Sequence, residues 1–118
     1  MVKLESLKKS EHFKIVLGKK KLHTDFFSIF AAKNFIKSKN NSLNISFVMK
    51  KKIGNAVKRN RIKRKLKSAV QRVAREKQLI DLNYTYVIFG KNNVYKDKFI
   101  NVLDEVNETF KKIKQMEN

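Results

Sequence analysis

Residues 54–67 read GNAVKRNRIKRKLK, with seven cations and no acid in fourteen residues. Gly54 and Asn55 interrupt the alternating pattern that precedes them, and Asn55 is placed to cap a helix. From Ala56 to about residue 77 the apolar spacing is helical. Ile62, Leu66, Ala69, Val70 and Val73 recur at i, i+4, i+7, i+8 and i+11 and form one stripe. A stripe of that kind needs a sheet to cover it. The opposite flank then presents Lys58, Arg59, Arg61, Lys63, Arg64, Lys65 and Lys67. Arg59 with Lys63 and Lys63 with Lys67 repel at i, i+4 by a few tenths of a kcal/mol each. Lys58 and Arg59 have the wrong sign for the first turn of a helix. Local rules broken without local compensation point to function.

Before this helix, residues 43–50 alternate: Leu43, Ile45, Phe47 and Met49 share one face, as expected of a half-buried strand. Residues 25–32 read as another strand, with Phe27, Ile29 and Ala31 on one face and Phe26, Ser28 and Phe30 on the other. The polar segment between these strands predicts a hairpin connection. Residues 10–17 predict a short helix with Phe13, Val16 and Leu17 on one face, ended at Gly18. Residues 84–89, YTYVIF, predict an interior strand. Residues 95–114 predict one amphipathic helix faced by Phe99, Val102, Leu103, Val106, Phe110 and Ile113. The order is α-β-β-α-β-α, with a further strand available near residues 19–25. The two strands that flank the basic helix are candidates for parallel neighbours.

The chain has 118 residues, 42% of them hydrophobic, enough for one domain with a core. It has no Cys, so neither a disulfide framework nor a thiolate metal site is available. No apolar run approaches the ~20 residues of a membrane span. The first residues lack the apolar region of an export signal, so a cytoplasmic location is expected. The formal charge is +19 and is unevenly spread: residues 26–75 hold fifteen Lys and Arg and no Asp or Glu, while seven of the ten acids follow residue 75. Such a surface calls for an anionic partner. A merely solvated face would mix both signs. A membrane surface would require free bulky apolar residues, and this stripe is committed to a sheet. RNA or DNA fits better. The N–H groups of residues 55–58 are candidate phosphate donors at the helix start.

At GNAVKRNRIKR the sequence closely resembles the signature of the protein subunit of bacterial ribonuclease P. The matching residues are Lys51, Lys52, Gly54, Asn55, Ala56, Val57, Arg59, Asn60, Arg61, Lys63 and Arg64. The resemblance runs more weakly from residue 7 to the last helix. It implies a single domain over 1–118, an α/β (α+β) two-layer sandwich of order α-β-β-β-α-β-α, like ribosomal protein S5 domain 2. The β-α-β crossover would be left-handed, against the general preference. It further implies a role in removing the 5′ leader of precursor tRNA, with hydrolysis by the RNA subunit and Mg²⁺ bound mainly by RNA. The implied partners are the ribonuclease P RNA, in a 1:1 complex with a monomeric protein, and precursor tRNA. The implied RNA-binding residues are Lys51, Lys52, Asn55, Lys58, Arg59, Asn60, Arg61, Lys63, Arg64 and Lys67, with Asn60 also acting indirectly on a hydrated metal. The implied leader cleft is Phe13, Val16, Leu17, Phe27 and Phe30; unpaired bases stack on exposed aromatics whatever their sequence. The chain departs from the family pattern in four places. Leu17 stands where an aromatic is common, Phe30 where Tyr is common, Lys50 where Ser often precedes the Lys pair, and Lys67-Ser68 where Arg-Glu or Arg-Gln is usual.

No protein catalytic residue is expected. Metal nucleases gather carboxylates, whereas Asp81, Asp97, Asp104, Glu105 and Glu108 read as solvated flanks of the C-terminal elements. His12 and His23 fit phosphate contacts or bystanders better than a general acid–base pair. There is no phosphate-cradling GxxxxGK[ST] loop and no zinc ligand set.

Overall fold

The computed structural model describes residues 3–33, 42–77, 80 and 84–115. Five strands form one mixed sheet: β1 (Lys3–Glu5), β2 (Lys20–His23), β3 (Phe27–Lys33), β4 (Ser42–Val48) and β5 (Tyr84–Gly90). Their spatial order is β1-β4-β5-β3-β2. β1 and β5 run parallel to β4, whereas β3 runs antiparallel to β5 and to β2. The helices are α1 (Ser10–Leu17), α2 (Ala56–Lys77), α3 (Asn93–Lys96) and α4 (Phe99–Gln115).

β5 takes the centre because its sequence is apolar on both faces, and only a strand covered on both sides suits that pattern. Tyr84, Tyr86 and Ile88 enter one core, and Val87 the other. This settles β3 and β4. They are not a hairpin, because β5 lies between them. The connecting residues 34–41 fall outside the described residues. β4 and β5 are parallel neighbours bridged by the basic helix, as the flanking strands suggested.

The larger core lies between the sheet and the pair α2 and α4. Ile62, Leu66, Ala69, Val70 and Val73 are all buried there, so the whole predicted stripe docks. They meet Phe27, Ile29, Ala31, Leu43, Ile45 and Tyr86 from the sheet, and Val102, Val106, Phe110 and Ile113 from α4. Phe110 meets the Tyr86 ring edge to face at 5.0 Å. Burying one such side chain contributes about 1.5–3 kcal/mol. The smaller core lies on the opposite face, where α1 sets Val16 over Ala32 and Val87, with Leu7 beside them. The backbone N–H of Leu7 donates to Ser46 Oγ at 2.8 Å and holds the chain before α1 to the sheet.

Three further readings need correction. The predicted helix over residues 95–114 is two helices. Asp97 is extended (φ −90°, ψ 165°) and its Oδ1 accepts the N–H of Lys98 at 2.8 Å and the Asn101 amide at 2.6 Å. Asp97 therefore braces the chain just before α4 while its carboxylate stays on the solvated side, as the sequence suggested. Phe26 does not share the face of Ser28 and Phe30; it packs against the larger core. It precedes β3 in a turn where Thr24 Oγ1 accepts the N–H groups of Phe26 and Phe27, at 3.1 and 3.0 Å. β1 was not anticipated, whereas the strand near residues 19–25 is β2. The two sheet edges, β1 and β2, are three and four residues long and carry Lys3, Lys20 and Lys21.

Candidate nucleic-acid interface

The entry to α2 is built from the sequence around Gly54. After β4 the chain makes one 3₁₀ turn over Lys51–Ile53, which leaves Lys51 and Lys52 exposed. Gly54 then adopts φ 156° and ψ −165°, a backbone region that side chains disfavour. A Cβ at this position would also come within 2.8 Å of the Lys58 side chain. Asn55 caps the helix as expected: its Oδ1 accepts the N–H of Lys58 at 2.9 Å. That bond corrects one expectation, since the Lys58 amide is occupied and is not a phosphate donor.

The seven cations of residues 54–67 divide by task. Lys65 turns inward and its ammonium donates to the main-chain oxygens of Val94, at 2.8 Å, and of Asp97. It ties α2 to the corner between α3 and α4, so it is not part of the outer face predicted from the sequence. Lys58 lies over the Tyr95 ring, 5.1 Å from its centroid. Arg61, Lys63, Arg64 and Lys67 are exposed, with Arg59 half-buried and Asn60 exposed among them. None of these five cations meets a carboxylate among the described residues. The helix is about 33 Å long at 1.5 Å per residue. It therefore carries uncompensated charge over residues 59–67, in its N-terminal half, on a rigid rod docked on a sheet.

The opposite face of the sheet carries the aromatic groove. The register aligns His23, Ser28, Phe89 and Val48 in one row across β2, β3, β5 and β4, and Lys21, Phe30, Val87 and Ser46 in the next. α1 covers Val87 and Ala32 and leaves Phe13, Phe30, Val48 and Phe89 only partly buried around it. Phe30 and Phe89 meet edge to face at 5.7 Å. Lys21 Nζ stands 5.1 Å from the Phe30 centroid, and Lys50 Nζ 5.7 Å from that of Phe89. At the strand ends the groove opens into a cavity of about 430 Å³, lined in part by Ser28, Lys50, Lys52, Phe89 and Lys91. Asn92 also lines it, and its side-chain oxygen is buried with no hydrogen-bond partner among the described residues.

Of the five implied cleft residues, Phe13 and Phe30 reach this groove. Leu17 is 39% exposed at the end of α1, while Val16 is fully buried beneath the helix as core. Phe27 is also fully buried, in the larger core on the other face of the sheet, so it is not a cleft residue. Strand parity is the reason: residues 27 and 30 differ by an odd number and point to opposite faces. Phe89, Lys21 and Lys91 complete the groove and were not singled out from the sequence. The continuous apolar run of β5 hides which of its side chains face outward; only its register with β3 reveals Phe89.

Two titrating groups are shifted by their surroundings, His23 at the groove and Asp97 at the α3–α4 corner. His23 Nδ1 and Ser28 Oγ share a hydrogen bond of 2.6 Å. Desolvation first, then the ammonium groups of Lys21 and Lys91, hold the His23 imidazole below its usual range. It is uncharged at neutral pH and gives the groove a polar edge. Asp97 is held below the ordinary carboxylate range, first by the Asn101 side chain and then by the Lys98 N–H. Among the described residues no three His, Cys, Asp or Glu gather as a metal-binding group. Beside the α2 cations, Asn60 supplies a single amide oxygen, too few to hold Mg²⁺ directly. No described helix is long and apolar enough to cross a membrane.

Fold and site together define a single-domain α+β protein with a cationic helix on one face of its mixed sheet and an aromatic groove on the other. The sequence pattern of the family described as Ribonuclease P matches residues 1–114. The ribonuclease P protein component of Mesomycoplasma hyopneumoniae is 32% identical over 117 residues, covering 99% of both chains. That of Carboxydothermus hydrogenoformans is 33% identical over 107 residues, covering 90% of this chain and 88% of its own. The solved ribonuclease P protein of Thermotoga maritima shares the fold, with a TM-score of 0.72 and 21% identity over 92% of this chain and 96% of that one. The chain belongs to the ribonuclease P protein family, protein components of a tRNA-processing endoribonuclease.

Proposed function

We propose that this chain binds the ribonuclease P RNA through α2, holds the 5′ leader of precursor tRNA in the groove of Phe13, Phe30 and Phe89, and leaves hydrolysis to the RNA. The observation that carries the reading is the division of the sheet into a cationic face and an aromatic face. A folded RNA is held by phosphates, which the unpaired cations Arg59, Arg61, Lys63, Arg64 and Lys67 neutralise with release of condensed counterions. A single strand presents bases, and each base stacked on an aromatic ring is worth about 1–3 kcal/mol. Lys21 and Lys50 stand over the groove rings where the leader's phosphates would run. Mg²⁺, when bound, supplies charge neutralisation and an activated water. The RNA would hold it, and Asn60 would reach a metal-bound water. The small sheet edges and the net charge favour one protein per RNA.

Reconstitution tests this reading. Purified protein is mixed with precursor tRNA, with and without the cognate ribonuclease P RNA, at low Mg²⁺. Accurate cleavage requires both components. Cleavage by protein alone would assign the chemistry to the protein; absence of stimulation would reduce the chain to a structural RNA binder.

A further inference from the structure

The α2 layer holds an aromatic that neither the groove nor the outer cation row uses. Tyr95, on α3, is 42% exposed, whereas Tyr84 and Tyr86 are buried in the larger core. Its place is fixed from several directions. The preceding residue, Val94, is fully buried. The Tyr95 N–H donates to the Asn92 carbonyl at 3.0 Å. Lys65 of α2 grips the main-chain oxygens of Val94 and Asp97 on either side of it. Lys58 brings its ammonium to 5.1 Å from the ring centroid. A half-exposed ring on a braced backbone, beside a cation with no carboxylate partner among the described residues, matches a nucleotide: a base for the ring and a phosphate for the ammonium. Aromatic stacking of this kind needs no particular base.

We infer that Tyr95 and Lys58 form a stacking site for an unpaired nucleotide of the ribonuclease P RNA, separate from the leader groove. This rests on the RNA-binding reading of α2 given above and adds a ring to it. The RNA subunit is the source of that nucleotide because α3 packs on α2, in the layer opposite Phe30 and Phe89. A leader lying in the groove is on the other side of the sheet. The same α2 that carries the phosphate-binding cations carries Lys58.

The chain has no Trp, so Tyr95→Trp places a unique indole at the site. Its fluorescence is followed while ribonuclease P RNA, or separately a leader oligonucleotide, is added. Quenching by the ribonuclease P RNA and none by the oligonucleotide is the expected result. RNA that binds without quenching overturns the stacking site and leaves the broader reading standing; quenching by the oligonucleotide alone assigns the ring to the leader and also overturns it. RNA that fails to bind the parent protein overturns both. In parallel, Tyr95→Ala should weaken RNA-subunit affinity about five- to hundredfold, the worth of one stacked base, while Tyr95→Phe retains it. Unchanged affinity in a folded Tyr95→Ala protein overturns the inference. If that variant does not fold, the indole signal still decides.

Discussion

Phe30 and Phe89, from neighbouring antiparallel strands, meet edge to face with ring centroids 5.7 Å apart on the α1 side of the sheet. Each ring also has a lysine ammonium over it, Lys21 for one and Lys50 for the other. Truncating either ring should weaken binding of a long-leader precursor by about 1–3 kcal/mol and hardly change binding of mature tRNA. The two losses should not add, because the rings touch. Equal losses on both substrates, measured by equilibrium titration, would remove the groove from the leader's path.

Lys65 and Lys63 are two residues apart and should behave oppositely. Lys65→Met removes an ammonium that caps two carbonyls, and should cost about 1–3 kcal/mol of stability. Lys63→Met removes an exposed charge; it should leave stability within about 0.5 kcal/mol and lower the salt slope of RNA binding by about one. Thermal melts and salt titrations of the two variants separate the roles.

Gly90 ends β5 directly beneath α2. A Cβ there would stand 2.5 Å from Met49 Sδ, 2.9 Å from Ile62 Cγ2 and 3.0 Å from Leu66 Cδ1. Gly90→Ala should therefore destabilise by about 1–3 kcal/mol through overpacking. A denaturant midpoint equal to that of the parent would show that the helix yields freely at this point.

Asp97 predicts a pH signature. Its folded-state pKa lies below the ordinary 3.8, so its contribution is present above that value and is lost as pH falls through the depressed one. Asp97→Ala should melt earlier than the parent at neutral pH, and the gap should close on strong acidification. A gap that persists there would locate the effect in packing, not in the carboxylate.

The sequence made α2 legible to its ends because a 22-residue helix repeats its stripe several times. α1 was equally plain, bounded by Ser10 and Gly18. β1 could not be read, since three residues carry no period. The break before α4 was hidden because the apolar spacing continues past Asp97 without Gly or Pro, and the interruption rests on hydrogen bonds of one carboxylate. The groove was half legible. Alternation separates Phe27 from Phe30, but it does not say which face α1 covers. Phe89 sits in a strand with apolar residues on both faces, so only strand register marks it as an outward ring.

The rims of the sheet have a consequence for handling the free protein. Among the described residues both edge strands are brief and carry lysine, so a second molecule approaching to extend the sheet meets charge of its own sign. Crowded copies therefore repel until a polyanion arrives. The same cations would then attract any nucleic acid present, so nonspecific polyanions left over from purification would compete for the chain most strongly at low salt.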